Sequence, residues 1–160
     1  RLVAVIEALP PGRVLDVACG TGFLTRHLRG EVTGIDQSAT MLEIARGHCP
    51  GATLLQADAL ALPFADKSFD RVFTGHFYGH LRASDREQFL SEVRRLAPEL
   101  VVVDTALRPG LRREEIHERV LSDGSRHAVY KRYFAPEELA RELGGGRTLY
   151  AGDWFVVVAA

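Results

Sequence analysis

The chain reads as a doubly wound α/β domain with a mainly parallel sheet. Short β-branched runs alternate with longer stretches of helical period, the pattern of βαβ units. Acidic residues close three successive runs, at Asp16, Asp36 and Asp58. A glycine turn follows the first of them, and in open α/β sheets ligands sit outside the carboxyl ends of the strands.

Each element follows from local chemistry. Leu2 to Leu9 has the character of a helix already in progress, and the chain begins with Arg1 rather than Met. An upstream lid segment is therefore expected. After Pro10-Pro11-Gly12 comes a first strand, Arg13 to Ala18. The turn Cys19-Gly20-Thr21-Gly22 then leads into a short helix, Phe23 to Arg29. The second strand is Glu31 to Ile35, ending at Asp36. Ser38 is placed to cap a helix to about His48, which Pro50-Gly51 stops. The third strand, Thr53 to Ala57, ends at Asp58. Residues Pro63 to Ser68 form a surface turn before a fourth strand, Phe69 to Thr74.

Ser84 or Asp85 is expected to cap an amphipathic helix through Leu96, with Phe89, Leu90, Val93 and Leu96 at helical spacing. Leu100 to Val103 is apolar throughout, as a strand buried on both faces should be. A polar-faced helix is expected from Arg112 to Leu121, and another from about Ala135-Pro136-Glu137 to Leu143, broken by Gly144-Gly145-Gly146. The tail, Arg147 to Ala160, reads as two closing strands joined near Gly152-Asp153. No repeat, low-complexity tract or linker divides the chain, so residues 1–160 are expected to form one domain.

Composition excludes several classes of function. A net charge of −1 supplies no field for nucleic acid or an anionic membrane, so neither is expected as a partner. No apolar run approaches the roughly 18–20 residues of a membrane span. Cys19 and Cys49 lack CxxC spacing, which argues against a structural metal site and for reduced thiols in a cytoplasmic protein. No metal-ligand cluster, G-x-S-x-G or P-loop occurs.

The charge around the glycine turn narrows the ligand. A dinucleotide fold has G-x-G-x-x-G here with a pyrophosphate over it, but the third glycine position is Thr25, and Asp16 stands just before the loop. A carboxylate repels phosphate and attracts a ligand carrying an ammonium and a sulfonium. S-adenosylmethionine has that charge pattern. Asp36 is placed for two ribose hydroxyls and Asp58-Ala59 for an adenine amino group. Capping or turn formation is the simpler reading of each Asp taken alone.

Val14 to Gly22 resembles the first motif of the class I S-adenosylmethionine-dependent methyltransferases. Val32 to Ser38 is similar to the second motif, and Gln56 to Ala59 to the third. Leu62-Pro63-Phe64 with Ser68 to Val72 is similar to the approach to the fourth strand in the small-molecule branch. The resemblance runs from Val14 to the end of the chain, with Cys19 standing where many relatives have glycine. It implies a Rossmann-like, seven-stranded sheet with helices on both faces and an antiparallel last strand. It also implies a cofactor site of Asp16, Ala18, Gly20, Thr21, Gly22, Asp36, Gln37, Met41, Asp58, Ala59 and Thr74. The role of Gln37 stays open.

Methyl transfer from a sulfonium is an in-line displacement with a good leaving group. Alignment supplies roughly 7–11 kcal/mol, against about 3–5 kcal/mol from a general base. Candidate bases lie after the fourth strand, His76 ahead of His80, with Phe77 and Tyr78 as pocket walls. The acceptor is expected to be a small molecule. Arg126 to Tyr133 mixes basic and aromatic residues and suits either an anionic acceptor or a solvated strand edge. Arg108, Arg112 and Arg113 read as surface residues. The competing functions are a S-adenosylmethionine-binding domain that is non-catalytic or needs a partner chain, and a NAD(P)-dependent oxidoreductase, which Asp16 and Thr25 oppose.

Overall fold

A computed structural model describes residues 1–120 and 123–160. Seven strands form one sheet: β1 (Gly12–Val17), β2 (Gly30–Asp36), β3 (Thr53–Gln56), β4 (Arg71–Gly75), β5 (Leu100–Thr105), β8 (Arg147–Ala151) and β9 (Phe155–Ala159), in the order β3-β2-β1-β4-β5-β9-β8. The first five are parallel, and β9 runs antiparallel to both its neighbours. The chain winds outward from β1 to β3, then crosses back to β4 and winds the other way. That reversal opens a crevice at the carboxyl ends of β1 and β4, where a ligand meets no covering strand.

Burial on both faces explains the apolar strands. Along β5, Val102 joins one core with Leu15, Val17, Phe89 and Leu139, while Val101 and Val103 join the other with Ile6, Val14, Phe73 and Val157. Alternate side chains of a strand point to opposite faces, so each face needs its own cover. The helices α1 (Leu2–Glu7), α2 (Ala39–His48), α3 (Ala83–Leu96) and α4 (Pro136–Glu142) provide it. Ser38 caps α2 as expected, its Oγ accepting from Met41 N at 3.3 Å. Helix α3 starts at Ala83 with no side-chain cap, so neither Ser84 nor Asp85 has that role; Asp85 instead places negative charge in the first turn.

Two expected elements differ. Only one 3-10 turn, Thr25–His27, forms where a helix was expected after the glycine turn. Thr25 Oγ1 is drawn inward to Asp16, and Gly30 (φ +107) re-enters the sheet so tightly that a Cβ there would lie 2.2 Å from the Gly12 carbonyl. Too few residues remain between these anchors for a stable helix.

The second difference is larger. Residues 114–120 are not helical: they form strand β6 (Glu114–Val120), paired antiparallel with β7 (Arg126–Arg132) in a separate two-stranded sheet. Leu121, the end of the expected helix, lies outside the described residues. Cross-strand charge decides the outcome, because Glu114 faces Arg132 and Glu118 faces the neighbourhood of Arg126 along the ladder. Such pairs, with β-branched Ile116 and Val120, override the helix preference of Glu and Arg.

Candidate active site

Two cavities lie along the carboxyl edge and meet at Ala18. The first, about 290 Å³, is lined by Ile35, Asp36, Ala57, Asp58, Leu60, Phe77 and Leu81 among others. The second, about 180 Å³, is lined by Asp16, Gly20, Thr21, Phe23, Phe73 and His76 among others. Among the described residues, no lysine or arginine lines either. Ala18 and His76 are two of three described non-glycine residues with φ near +60°, and they directly follow β1 and β4. Backbone strain of this kind persists where surrounding structure over-determines it, here at the switch point.

Asp36 organises the first cavity. Its Oδ2 accepts from Gly20 N and its Oδ1 from Ser38 N, both at 2.9 Å, so one carboxylate ties the glycine turn to the start of α2. Each oxygen keeps a second lone pair, enough for two neighbouring hydroxyls. Asp58 Oδ1 accepts from Leu60 N at 2.9 Å, which makes a tight turn of the third strand end. Gln37 is exposed, and its carbonyl accepts from Gln56 Nε2.

Asp16 sits in the floor of the second cavity, 2% exposed. Burial is the main force on it and lifts its carboxyl to about 7; Thr25 Oγ1, donating at 2.7 Å, works against that rise, and Asp36 adds to it. The attraction expected from a fully charged Asp16 is therefore available only above neutral pH, or when a cation arrives to draw the proton off. Gly20 (φ +55) has open space where a side chain would begin, so the loop leaves room for a ligand against its backbone.

The structure thus gathers Asp16, Ala18, Gly20, Thr21, Asp36, Gln37, Asp58, Ala59 and His76 around the paired cavities. It does not bring Gly22, Met41, Thr74 or His80 to their walls. Gly22 (φ +77) serves helix packing, since a Cβ there would stand 2.7 Å from Cys49 Sγ and 3.3 Å from the Ala45 Cα. Thr74 is fully buried, with its hydroxyl donating to the Val17 carbonyl at 2.8 Å. Met41 turns an exposed side chain outward from α2.

Of the expected pocket walls, Phe77 lines the first cavity, but Tyr78 is buried in the core between Phe89 and Phe134. Its hydroxyl donates to Glu142 at 3.0 Å. Phe23, Leu60 and Leu81 complete the walls; their apolar character gave no sequence signal apart from ordinary core residues.

The two histidines differ in setting. His76 lines the second cavity with its ring edge-on to Phe155, centroids 4.9 Å apart. His80 uses Nδ1 on the Tyr130 carbonyl at 2.8 Å, which fixes the proton on that nitrogen and leaves Nε2 as the acceptor. Burial lowers both imidazoles below their ordinary value, so both are neutral at pH 7.

The basic run of β7 is largely spent on internal pairs. Lys131 Nζ meets Asp104 at 2.6 Å, with side-chain exposures of 10% and 0%; Asp104 also accepts from Gly79 N and Thr105 N. Arg132 holds Glu138 and Glu142, and Arg126 holds Glu118. Arg112 and Arg113 are exposed at the surface as expected, Arg113 pairing with Glu138, whereas Arg108 is half-buried.

A family model for a methyltransferase domain matches residues 14–99. The chain belongs to the class I S-adenosylmethionine-dependent methyltransferases. Among curated relatives, a demethylmenaquinone methyltransferase from Thermotoga maritima is 40% identical over 101 residues, covering 60% of this chain and 43% of that protein. A 2-phytyl-1,4-naphtoquinone methyltransferase from Thermosynechococcus vestitus is 44% identical over 98 residues, covering 55% and 43%. The methyltransferase domain described here thus spans less than half the length of these relatives. Among solved structures, a complex of DhpI with SAH superposes with a TM-score of 0.81 at 27% identity, covering 99% of this chain and 80% of that one. No helix among the described residues is long and apolar enough to cross a membrane.

Proposed function

We propose that the domain binds S-adenosylmethionine across the two cavities and transfers its methyl group to a small-molecule acceptor. One observation carries the reading: the cavities join at Ala18, with Asp36 in one, Asp16 in the other and, among the described residues, no lysine or arginine in either. A nucleoside with a positively charged tail fits that arrangement. The diphosphate of a nicotinamide dinucleotide would lie against Asp16 with no cation to offset it.

In this reading Asp36 takes the ribose hydroxyls, Asp58 and Ala59 border the adenine, and the backbone of Gly20 and Thr21 borders the amino-acid tail. Asp16 attracts the ammonium. The bound sulfonium supplies an activated methyl carbon, to which the acceptor atom bonds as the carbon–sulfur bond breaks. The protein's own contribution is alignment and exclusion of water by Phe23, Phe77 and Leu81. His76, neutral and beside the second cavity, is the group to take a proton from the acceptor atom through its unprotonated ring nitrogen. The compact cavities and the quinone acceptors named for the curated relatives favour a small molecule over a macromolecule.

Transfer of labelled methyl from S-adenosylmethionine into a metabolite extract tests the reading, and product should appear only with cofactor and intact Asp36. Binding of S-adenosylhomocysteine without any labelled product would point instead to a non-catalytic domain. For His76→Ala, donor affinity should stay within a few-fold of the parent while turnover falls on the order of 10²–10⁴-fold. Intact turnover would make His76 structural.

A further inference from the structure

One side chain on the acceptor side has a hydrogen bond left to make. Arg108 follows β5, four residues beyond Asp104. Its guanidinium lies over the Trp154 ring, with Cζ 3.8 Å from the ring centroid. Its Nε is the one buried side-chain nitrogen or oxygen among the described residues without a hydrogen-bond partner. Neighbouring arginines of this half, Arg113, Arg126 and Arg132, each hold a glutamate, whereas Arg108 forms no ion pair among the described residues.

Stacking fixes the guanidinium plane against the indole, and the N–H donors then point along that plane. A buried N–H with no acceptor is unfavourable, and the usual remedy is a partner that completes the site. The Trp154 carbonyl accepts from Ala106 N at 2.9 Å, holding the platform on the end of β5. The next residue, Phe155, has its ring against His76, which lines the second cavity. On the other side, Arg108 draws down the phenol of Tyr133, which burial and Glu115 push up, and Tyr133 Oη bonds His117 Nε2 at 3.0 Å.

We infer that Arg108, held flat on Trp154, anchors an oxyanion of the methyl acceptor, a carboxylate or a phosphate-type group, by a two-pronged hydrogen bond. The inference rests on the methyl-transfer reading above and narrows it to acceptors that carry negative charge. Planar recognition of two oxygens is what a guanidinium provides and an ammonium does not.

Trp154 is the only tryptophan of the chain, so its fluorescence reports directly on the platform. The test saturates the protein with S-adenosylhomocysteine, then titrates inorganic phosphate, acetate and a neutral naphthoquinol separately. One oxyanion should change the fluorescence saturably, and phosphate against acetate decides between the two sources of charge. Arg108→Gln should weaken that binding about tenfold or more, with S-adenosylhomocysteine affinity unchanged. Arg108→Lys keeps the charge without the fork and should fall between the two, which separates recognition from misfolding. Equal oxyanion affinity in wild type and Arg108→Gln overturns the inference, as does binding of the naphthoquinol alone. Oxyanions without effect on the cofactor-bound protein overturn it too. Failure of S-adenosylhomocysteine to bind overturns the methyl-transfer reading itself.

Discussion

On the donor side of the crevice, from β1 to β4, the walls join backbone turns to a few apolar side chains. Left-handed Ala18 and Gly20, the turn at Asp58 and one carboxylate, Asp36, shape the cavities with contacts close in sequence or set by strand register. On the acceptor side, from β5 to β9, side chains that are distant in sequence do the holding. Asp104–Lys131 fastens the β6–β7 hairpin to the sheet, and Arg86, Arg132 and Glu142 fasten α4 to α3. The family model covers residues 14–99 and ends just before β5. The proposed donor half rests on local turns and strand register, and the other half on long-range ion pairs.

If the halves are independent, breaking the acceptor-side latch should cost stability but not donor binding. Lys131→Met leaves the Asp104 carboxylate buried without its cation, and about 3–5 kcal/mol of stability should go with it. Thermal unfolding would then shift down by roughly 8–15 °C, while S-adenosylhomocysteine affinity at a temperature where the variant is folded stays within a few-fold. A parallel collapse of affinity would break the comparison. The converse change is smaller. Asp36→Ala should weaken donor binding by about 10–150-fold, from the loss of about 1.5–3 kcal/mol in hydrogen bonds to a charged group, as read by calorimetry. An unchanged dissociation constant would remove Asp36 from the site.

The pH dependence sharpens the donor side further. Because burial lifts Asp16 to about 7, its contribution to stability is full below the ordinary carboxyl value of 3.8 and is lost as pH rises through about 7. Donor binding has the opposite slope, since only the ionised form attracts the ammonium. Affinity should fall below pH 7 by up to about tenfold per unit, and Asp16→Asn should flatten both profiles in calorimetric and unfolding titrations between pH 5.5 and 8.5. The smallest effect on stability is expected at His76. Glycine there relieves the φ of +59° and should gain up to about 1 kcal/mol in denaturant unfolding, with donor affinity unchanged.

The same division governed what could be read before the structure. Strand ends at Asp16, Asp36 and Asp58 are marked by β-branched runs and glycine, signals that act within a few residues, and all three line the cavities. The β6 segment misleads because Glu and Arg favour helix locally, while its fate is set by cross-strand partners. Tyr78 sits beside Phe77 in sequence yet turns into the core, because its hydroxyl is claimed by Glu142, 64 residues away. Gly22 and Thr74 carry the right residue types, but α2 and β1 use them. Arg108 looks like any surface cation until Trp154 is placed under it.

The central claim is that the crevice between β1 and β4 is shaped for a nucleoside whose tail is positively charged. Calorimetric titration at pH 8 with S-adenosylmethionine and, separately, with NAD tests it most directly. Saturable binding of S-adenosylmethionine with no detectable heat from NAD is the expected result. Binding of NAD with S-adenosylmethionine silent would contradict it.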